Sequence, residues 1–375
     1  MNQRTFIIVL FLIAALLAGW MFYSSQQAVQ AEPIESITTK YWNSGHADAE
    51  SEAFIHWNED DPAEIPPTCA KCHSTSGFID YVGADGSEAG KVDRPGEIND
   101  PINCTACHSD AAHELDSVMF PSGVEVSGTG TNSVCMTCHG GMAAGIAVDK
   151  ATEGKEEDTP MADSSLMGPH YYHAAAVHQG ADGGNGYQYE GKTYVGTFQH
   201  AEPVNTCTEC HDPHSLHTQS VPNSDANLCS TCHSDVSGYQ DYRKVNMSNV
   251  DYDGDGGVEP VFDEIEGVKA VLYQALNQYS QAVTDTGFGF KFDSYPYAFI
   301  DTNNDGAIDE SEGIFPNKYS TFTPRMQKAA FNYMFVQKEP AAYLHNPDYV
   351  LQLMYDSIED LSALSGVTTE GLTRP

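Results

Sequence analysis

Ten cysteines stand in five pairs, and a histidine follows the second member of every pair. The runs are Cys69-Ala70-Lys71-Cys72-His73, Cys104-Thr105-Ala106-Cys107-His108, Cys135-Met136-Thr137-Cys138-His139, Cys207-Thr208-Glu209-Cys210-His211 and Cys229-Ser230-Thr231-Cys232-His233. C-x-x-C-H is the attachment signature of c-type haem. Its thiols add across the porphyrin vinyl groups, and the adjacent imidazole becomes the proximal iron ligand. The five motifs use every cysteine in the chain. A disulfide framework has no need of a histidine after each second cysteine. Tetrahedral zinc sites take two such pairs each, so five pairs would strand one and leave five histidines without a role. Five covalently held haem c groups account for all of these residues.

The proximal ligands are then His73, His108, His139, His211 and His233, and function turns on the opposite axial positions. Ten histidines remain, and nine of them lie in or beside the haem-binding stretch. The distal ligands are expected among His46, His56, His170, His200, His214 and His345. His46, His170, His200 and His345 rank first, and His113 stands in reserve. His214 follows a proximal histidine by three residues, too close to cap the same haem, so it must reach a neighbour. His170 and His173 share a face of a short helix in this reading. His173, His178 and His217 read as structural or exposed. Methionine is the other common axial ligand, but Met119, Met136, Met142, Met161, Met167, Met334 and Met354 read as packing, which leaves bis-histidine haems of low potential.

A second chemistry lies in Asp301-Thr302-Asn303-Asn304-Asp305-Gly306-Ala307-Ile308-Asp309-Glu310-Ser311-Glu312. It fits the twelve-residue calcium loop, with oxygens from Asp301, Asn303, Asp305, the Ala307 carbonyl, Asp309 and Glu312, and Gly306 at the turn. A related loop offers Asp251, Asp253, Asp255, Gly257 and Glu259. Its twelfth position is Phe262, and the acids arrive late as Asp263 and Glu264. Both loops read as structural braces. Neither a zinc-protease helix nor a glycine-rich phosphate loop is found: His113-Glu114 has Ser117 where the second histidine would stand.

The elements around these groups divide the chain. Residues 1–31 carry a charged front and an apolar run at 6–23, long for a cleaved export signal and near the lower limit for a spanning helix. Val29-Gln30-Ala31 offers a cleavage site, so signal peptide and membrane anchor both stand. Either places the remainder outside the cytoplasm, in the periplasm or on the outer face, with the anchor holding it to the inner membrane. Residues 32–40 form a linker. Residues 41–236 form the haem region, rich in Gly, Asp, Ser and Pro, where short helices and loops wrap a haem stack. Within it, 118–126 reads as a hairpin or strand, 148–164 as a charged exposed loop, 180–186 as a turn-rich insert and 187–198 as a small hairpin. Residues 237–375 form a helical domain with EF-hand-like calcium loops. Apolar spacing gives a helix over 263–283, Thr323-Pro324 opens one to about residue 338, and Asn346-Pro347 opens one to about residue 361. The fold class is mainly α with much irregular loop. Seventeen basic residues against 53 acidic ones, a formal net charge of -36, exclude a nucleic-acid partner by repulsion from phosphate.

The whole chain resembles the polyhaem, membrane-associated c-type cytochromes of anaerobically respiring bacteria. The likeness rests on Ser44-Gly45-His46-Ala47, the five C-x-x-C-H motifs, Cys210-His211-Asp212-Pro213-His214, and Leu344-His345-Asn346-Pro347 followed by Leu353-Met354-Tyr355-Asp356-Ser357-Ile358-Glu359-Asp360-Leu361. That last segment is similar to the terminal helix of several multihaem respiratory cytochromes. The resemblance implies covalent haems, mostly bis-histidine ligation and electron transfer in the cell envelope. Pentahaem nitrite reductases are a looser match, because their catalytic haem takes a lysine after the second cysteine and every motif here has histidine.

Three functions are open on this sequence. The first is an electron conduit between a membrane quinol-linked complex and redox partner proteins, with all haems six-coordinate. The second is a terminal reductase of a small nitrogen or sulfur compound, with one open haem and His113 or Tyr171 as proton donor. The third is a subunit of a cytochrome filament that shares a ligand between copies.

Overall fold

The computed structural model describes residues 33–200, 204, 206–218, 229–234, 236, 239–245 and 250–375. The apolar run at 6–23 and the cleavage site at Ala31 lie outside these residues.

The haem-motif region is built from short helices, each ended by its own sequence. They are α1 (Ile34–Trp42), α2 (Glu52–Ile55), α3 (Pro67–His73), α4 (Thr75–Tyr81), α5 (Cys104–His108), α6 (Asp110–His113), α7 (Asn132–His139), α8 (Gly145–Thr152), α9 (Ala174–Gly183) and α10 (Cys207–Cys210). Pro66 and Pro67 open α3 with a preset φ and no lost hydrogen bond. Ser74 then ends α3 in extended backbone, and its Oγ accepts the Gly77 N–H to start α4. Asn103 caps α5 through the Thr105 N–H, and Ser109 caps α6 through the Ala112 N–H. Elements this short are unstable alone, so tertiary contacts must hold them. One small apolar cluster does so, joining Phe54, Phe78, Val82, Ile102, Ala106 and Ala112.

Strands β1 (Ser117–Met119) and β2 (Glu125–Ser127) pair antiparallel, with Val118 opposite Val126, so the hairpin at 118–126 is present. The stretch 148–164 is not all loop. Helix α8 runs into it and Val148 is fully buried. Nor is 180–186 simply a turn, since α9 continues to Gly183 with a break at Gly180, φ +52°. A Cβ at Gly180 would stand 2.5 Å from the Gly196 carbonyl oxygen, so only glycine fits there. The stretch 187–198 forms no strand among the described residues. It packs on α9 instead, with Ala181 N–H donating to the Val195 carbonyl and Phe198 N–H to the His178 carbonyl, both at 2.8 Å.

The C-terminal elements are α11 (Val261–Thr284), β3 (Gly289–Phe290) paired with β4 (Ala298–Phe299), α12 (Pro324–Gln337), α13 (Ala342–His345) and α14 (Pro347–Ser365). Thr323 caps α12 through the Met326 N–H, and Asn346 caps α14 through the Tyr349 N–H. Val268, Leu272 and Leu276 of α11 face α14 and α12, and all three are buried. Helix α12 is buried almost all round because it is covered on both sides. Helices α11 and α14 lie on one side, and α8 with the 187–189 segment lies on the other. Asn332, fully buried, accepts the Tyr187 N–H and donates to the Tyr187 carbonyl and Ser357 Oγ. One continuous apolar core therefore includes residues from Val118 to Leu361. Among the described residues no helix is long and apolar enough to cross a membrane.

Candidate haem and calcium sites

Four of the C-x-x-C-H runs lie on helices α3, α5, α7 and α10, and the fifth on a 3-10 turn at Cys229–Thr231. Helical spacing puts residues three and four apart on one face, so the runs in α3, α5 and α7 turn both thiols and the imidazole the same way. No disulfide joins any of the ten cysteines. Three proximal rings are oriented by backbone carbonyls. His73 Nδ1 lies 2.7 Å from the Ala53 oxygen, His139 Nδ1 2.8 Å from Tyr172, and His211 Nδ1 2.9 Å from Leu216. A neutral imidazole that donates through Nδ1 keeps the Nε2 lone pair for a metal. The three carbonyls have no sequence signal, because any residue type supplies one.

Four of the five proximal rings face a second imidazole at a restricted distance. The ring centres are 6.3 Å apart for His46 and His139, 6.2 Å for His108 and His214, 6.3 Å for His200 and His233, and 5.9 Å for His73 and His170. Two imidazoles on opposite sides of one metal, each bond about 2.0 Å and each nitrogen about 1.2 Å from its ring centre, place the centres about 6.4 Å apart. The residues therefore fit a haem iron between each pair. His211 forms no such ring pair among the described residues, and His345 lies in its electrostatic surroundings. Burial holds His211 below its ordinary pKa, and the nearby His345 and His139 add to the shift. His345 Nδ1 meets Glu339 Oε1 at 3.2 Å. Burial also pushes His46 down to about 4, with His139 adding to it, and a neutral ring is the form that ligates.

The chain reaches these positions by specific local devices. His170 is not on a helix. It sits at φ +83°, with Tyr172 at φ +51°, in a tight turn before α9 that aims its ring at His73. His173 stands at the start of α9, fully buried, with Nε2 2.9 Å from the Phe335 carbonyl. His214 is held by Asp212, whose Oδ1 accepts the N–H groups of His214 and Ser215 while Oδ2 takes Lys40 Nζ at 2.6 Å. That clamp points His214 away from His211 and toward His108. His345 ends α13, just before the Asn346 cap.

The other histidines lie elsewhere. His56 is exposed, with Nδ1 on Glu52 Oε1 and its ring edge on Trp57. His113 lies 5.7 Å from His108 at 40°, closer and more tilted than His214 at 16°. His178 is partly covered beside His345, and burial lowers its pKa. His217 is exposed and contributes its carbonyl to the Asp212 N–H. Tyr171 lies over Lys338, whose Nζ is 3.5 Å from that ring centre and 3.8 Å from that of Tyr297. Burial pushes Lys338 down to about 8.

The motifs also touch one another. Cys72 Sγ is 3.9 Å from the Cys138 carbonyl, and Cys138 Sγ is 3.6 Å from the Lys71 carbonyl. Cys207 N–H donates to Asn132 Oδ1 at 3.1 Å, joining α10 to α7. Cys138 also packs on the small cluster that contains Ala106 of α5.

In the loop at 301–312, Gly306 takes φ +86° and its N–H donates to Asp301 Oδ2. Glu312 accepts the N–H groups of Thr302 and Asp309. Asp301 is 2 % exposed, and its Oδ1 is buried with no hydrogen-bond partner. An orphaned carboxylate oxygen is costly to bury, and a hard cation among oxygen donors satisfies it, so the residues fit calcium. In the 251 loop the carboxylates that converge are Asp251, Asp253 and Glu264. Glu264 accepts N–H groups from Tyr252 and Glu259, the second and ninth positions, as Glu312 does in its own loop. Glu259 thus joins through its backbone. The late acid at 264 was the sequence signal for this role.

No family model matches the chain, and no solved structure matches it. It is similar to the C-type polyheme cytochrome OmcB of Geobacter sulfurreducens, at 24 % identity over 401 residues, 91 % of this chain and 50 % of that protein. It is also similar to the C-type polyheme cytochrome OmcC of the same organism, at 24 % identity over 378 residues, 84 % of this chain and 45 % of that protein. The chain spans about half the length of the curated relatives it matches. The similarity to polyheme c-type cytochromes thus runs along most of this chain.

Proposed function

We propose that the chain is a five-haem electron conduit of the cell envelope, with every iron held between two histidines. The observation that carries this reading is the pairing of four of the five proximal histidines with a second imidazole: His73 with His170, His108 with His214, His139 with His46, and His233 with His200; in this reading His345 completes the set at His211. Haem c, when bound, supplies a one-electron iron couple. The chain's own residues anchor, orient and enclose it. The ten thiols tether, the Nδ1 contacts of His73, His139 and His211 fix ring orientation, and the abutting motifs keep neighbouring sites close. A second imidazole at four of the five sites leaves no open position for a small substrate there, which favours the conduit over the reductase. The four facing pairs lie within one chain, so no ligand shared between copies is called for at those sites.

The partners in this reading are redox proteins on one side and a membrane quinol-linked complex on the other, in the periplasm or on the outer face. The acidic surface would steer basic partners. The likeness to named polyheme cytochromes supports this direction of reading. Calcium in the loop at 301–312, held by Asp301, Asn303, Asp305, the Ala307 carbonyl, Asp309 and Glu312, would brace the C-terminal half. The 251 loop is its variant, closed by Glu264. The conduit reading is tested by His46→Ala: haem content stays constant and one haem becomes high-spin in the ferric state. An unchanged spectrum refutes the pairing with His139.

A further inference from the structure

Three proximal histidines turn Nδ1 to neutral backbone carbonyls, but His345 turns its Nδ1 to a carboxylate. Glu339 is 4 % exposed, two residues past the end of α12, and accepts the Ala341 N–H at 3.1 Å as well as the His345 contact. Its neighbour Lys338 does not neutralise it, since that ammonium lies over the rings of Tyr171 and Tyr297. The buried His173 nearby directs its ring nitrogens at the His170 and Phe335 carbonyls. Among the described ion pairs, the partner of Glu339 is His345.

We propose that Glu339 is a positioning residue that lowers the reduction potential of the haem that His345 ligates. The proposal rests on the axial-ligand reading above. A hydrogen bond to an ionised acceptor is about twice as strong as one to a neutral acceptor. It draws the Nδ1 proton toward the carboxylate, makes Nε2 a stronger donor and fixes the ring. A more electron-rich ligand stabilises the ferric over the ferrous state, so the haem is harder to reduce. The sequence alone gives no hint of this, because Glu339 and His345 lie six residues apart on either side of a proline-containing turn.

The test is a spectroelectrochemical titration of the full haem-loaded protein. Glu339→Gln keeps the side-chain shape and Oε1 but removes the charge. One of the titration components should become about tenfold easier to reduce, 59 mV for a one-electron couple, with all haems still low-spin and the other components unmoved. Glu339→Asp keeps the charge at shorter reach and should move the same component in the same direction by about threefold. It serves alone should the Gln variant not accumulate. Titrations that superimpose on the unaltered protein overturn the proposal. So does a high-spin haem in Glu339→Gln, which would mean that Glu339 only holds the ligand in place. His345→Ala separates the two levels of argument. If that variant gives no high-spin haem, the axial assignment itself falls. If it gives one while the Glu339 variants leave the potentials unchanged, only the role of Glu339 falls.

Discussion

Removing calcium should lower the melting temperature of this protein by about 5 °C, and the loop at 301–312 says why. Asp301 Oδ1 is buried without a partner. The loop is also tied to its surroundings, with Tyr273 Oη of α11 donating to the Gly306 carbonyl at 3.1 Å and Asn317 Nδ2 bridging the Ile300 and Glu312 carbonyls at 2.8 Å each. A cation there fastens α11 to the segment that leads into α12. Extracytoplasmic calcium modules bind with dissociation constants of about 0.1–1 mM. At about 10 mM free calcium and the tight end of that range, the ion is at a hundredfold excess over its constant. It then contributes about 2.7 kcal/mol by mass action. For a chain of this size each kcal/mol moves the midpoint by about 2 °C. Calorimetry of the haem-loaded protein, with calcium and with chelator, reads this shift directly. Asp301→Asn, which removes the orphaned charge, should abolish most of the calcium response and leave only what the 251 loop supplies. Equal midpoints with calcium and with chelator would refute the brace, as would a full response in Asp301→Asn.

Ring-plane angles make a spectroscopic prediction. His46 with His139 and His108 with His214 are near parallel at 23° and 16°, whereas His200 with His233 and His73 with His170 cross at 58° and 65°. Near-parallel ligand planes split the iron d orbitals unequally, so ferric electron paramagnetic resonance should resolve a rhombic class and a strongly anisotropic class. A single class contradicts the pairing. Asn332→Ala leaves the Tyr187 N–H buried without its partner and should cost about 1–3 kcal/mol in denaturant unfolding. Leu272→Ala opens a cavity between α11 and α14, where Leu272 is fully buried, and should cost about 3–5 kcal/mol. A loss under 1 kcal/mol would mean that those helices do not close the core there.

Chemistry that is local in sequence was legible, and chemistry made by the fold was not. The cysteine pairs and their histidines announce themselves because the two thioether cysteines and the proximal ligand must fall within five consecutive residues. Thr323-Pro324 and Asn346-Pro347 open helices as caps should, since a cap needs only its own first turn. The set of facing histidines could be narrowed to six by surplus and location. The partner of each could not be read, because loops that double back set the pairing. His170 reaches His73 through positive φ at His170 and Tyr172, conformations a non-glycine residue adopts only under tertiary pressure. Residues 148–152 look like exposed charged loop, yet Val148 is buried because α12 needs a cover on that side. Glu264 closes the 251 loop two positions late, a displacement that a twelve-residue template does not contain.

The measurement that bears most directly on the central claim is haem stoichiometry together with ferric spin state on the same sample. A pyridine haemochrome assay against protein mass should give five haems per chain. Near-infrared and electron paramagnetic resonance spectra should then show every iron low-spin with two imidazole ligands. Fewer than five haems, or any high-spin ferric signal in the unaltered protein, would contradict the account.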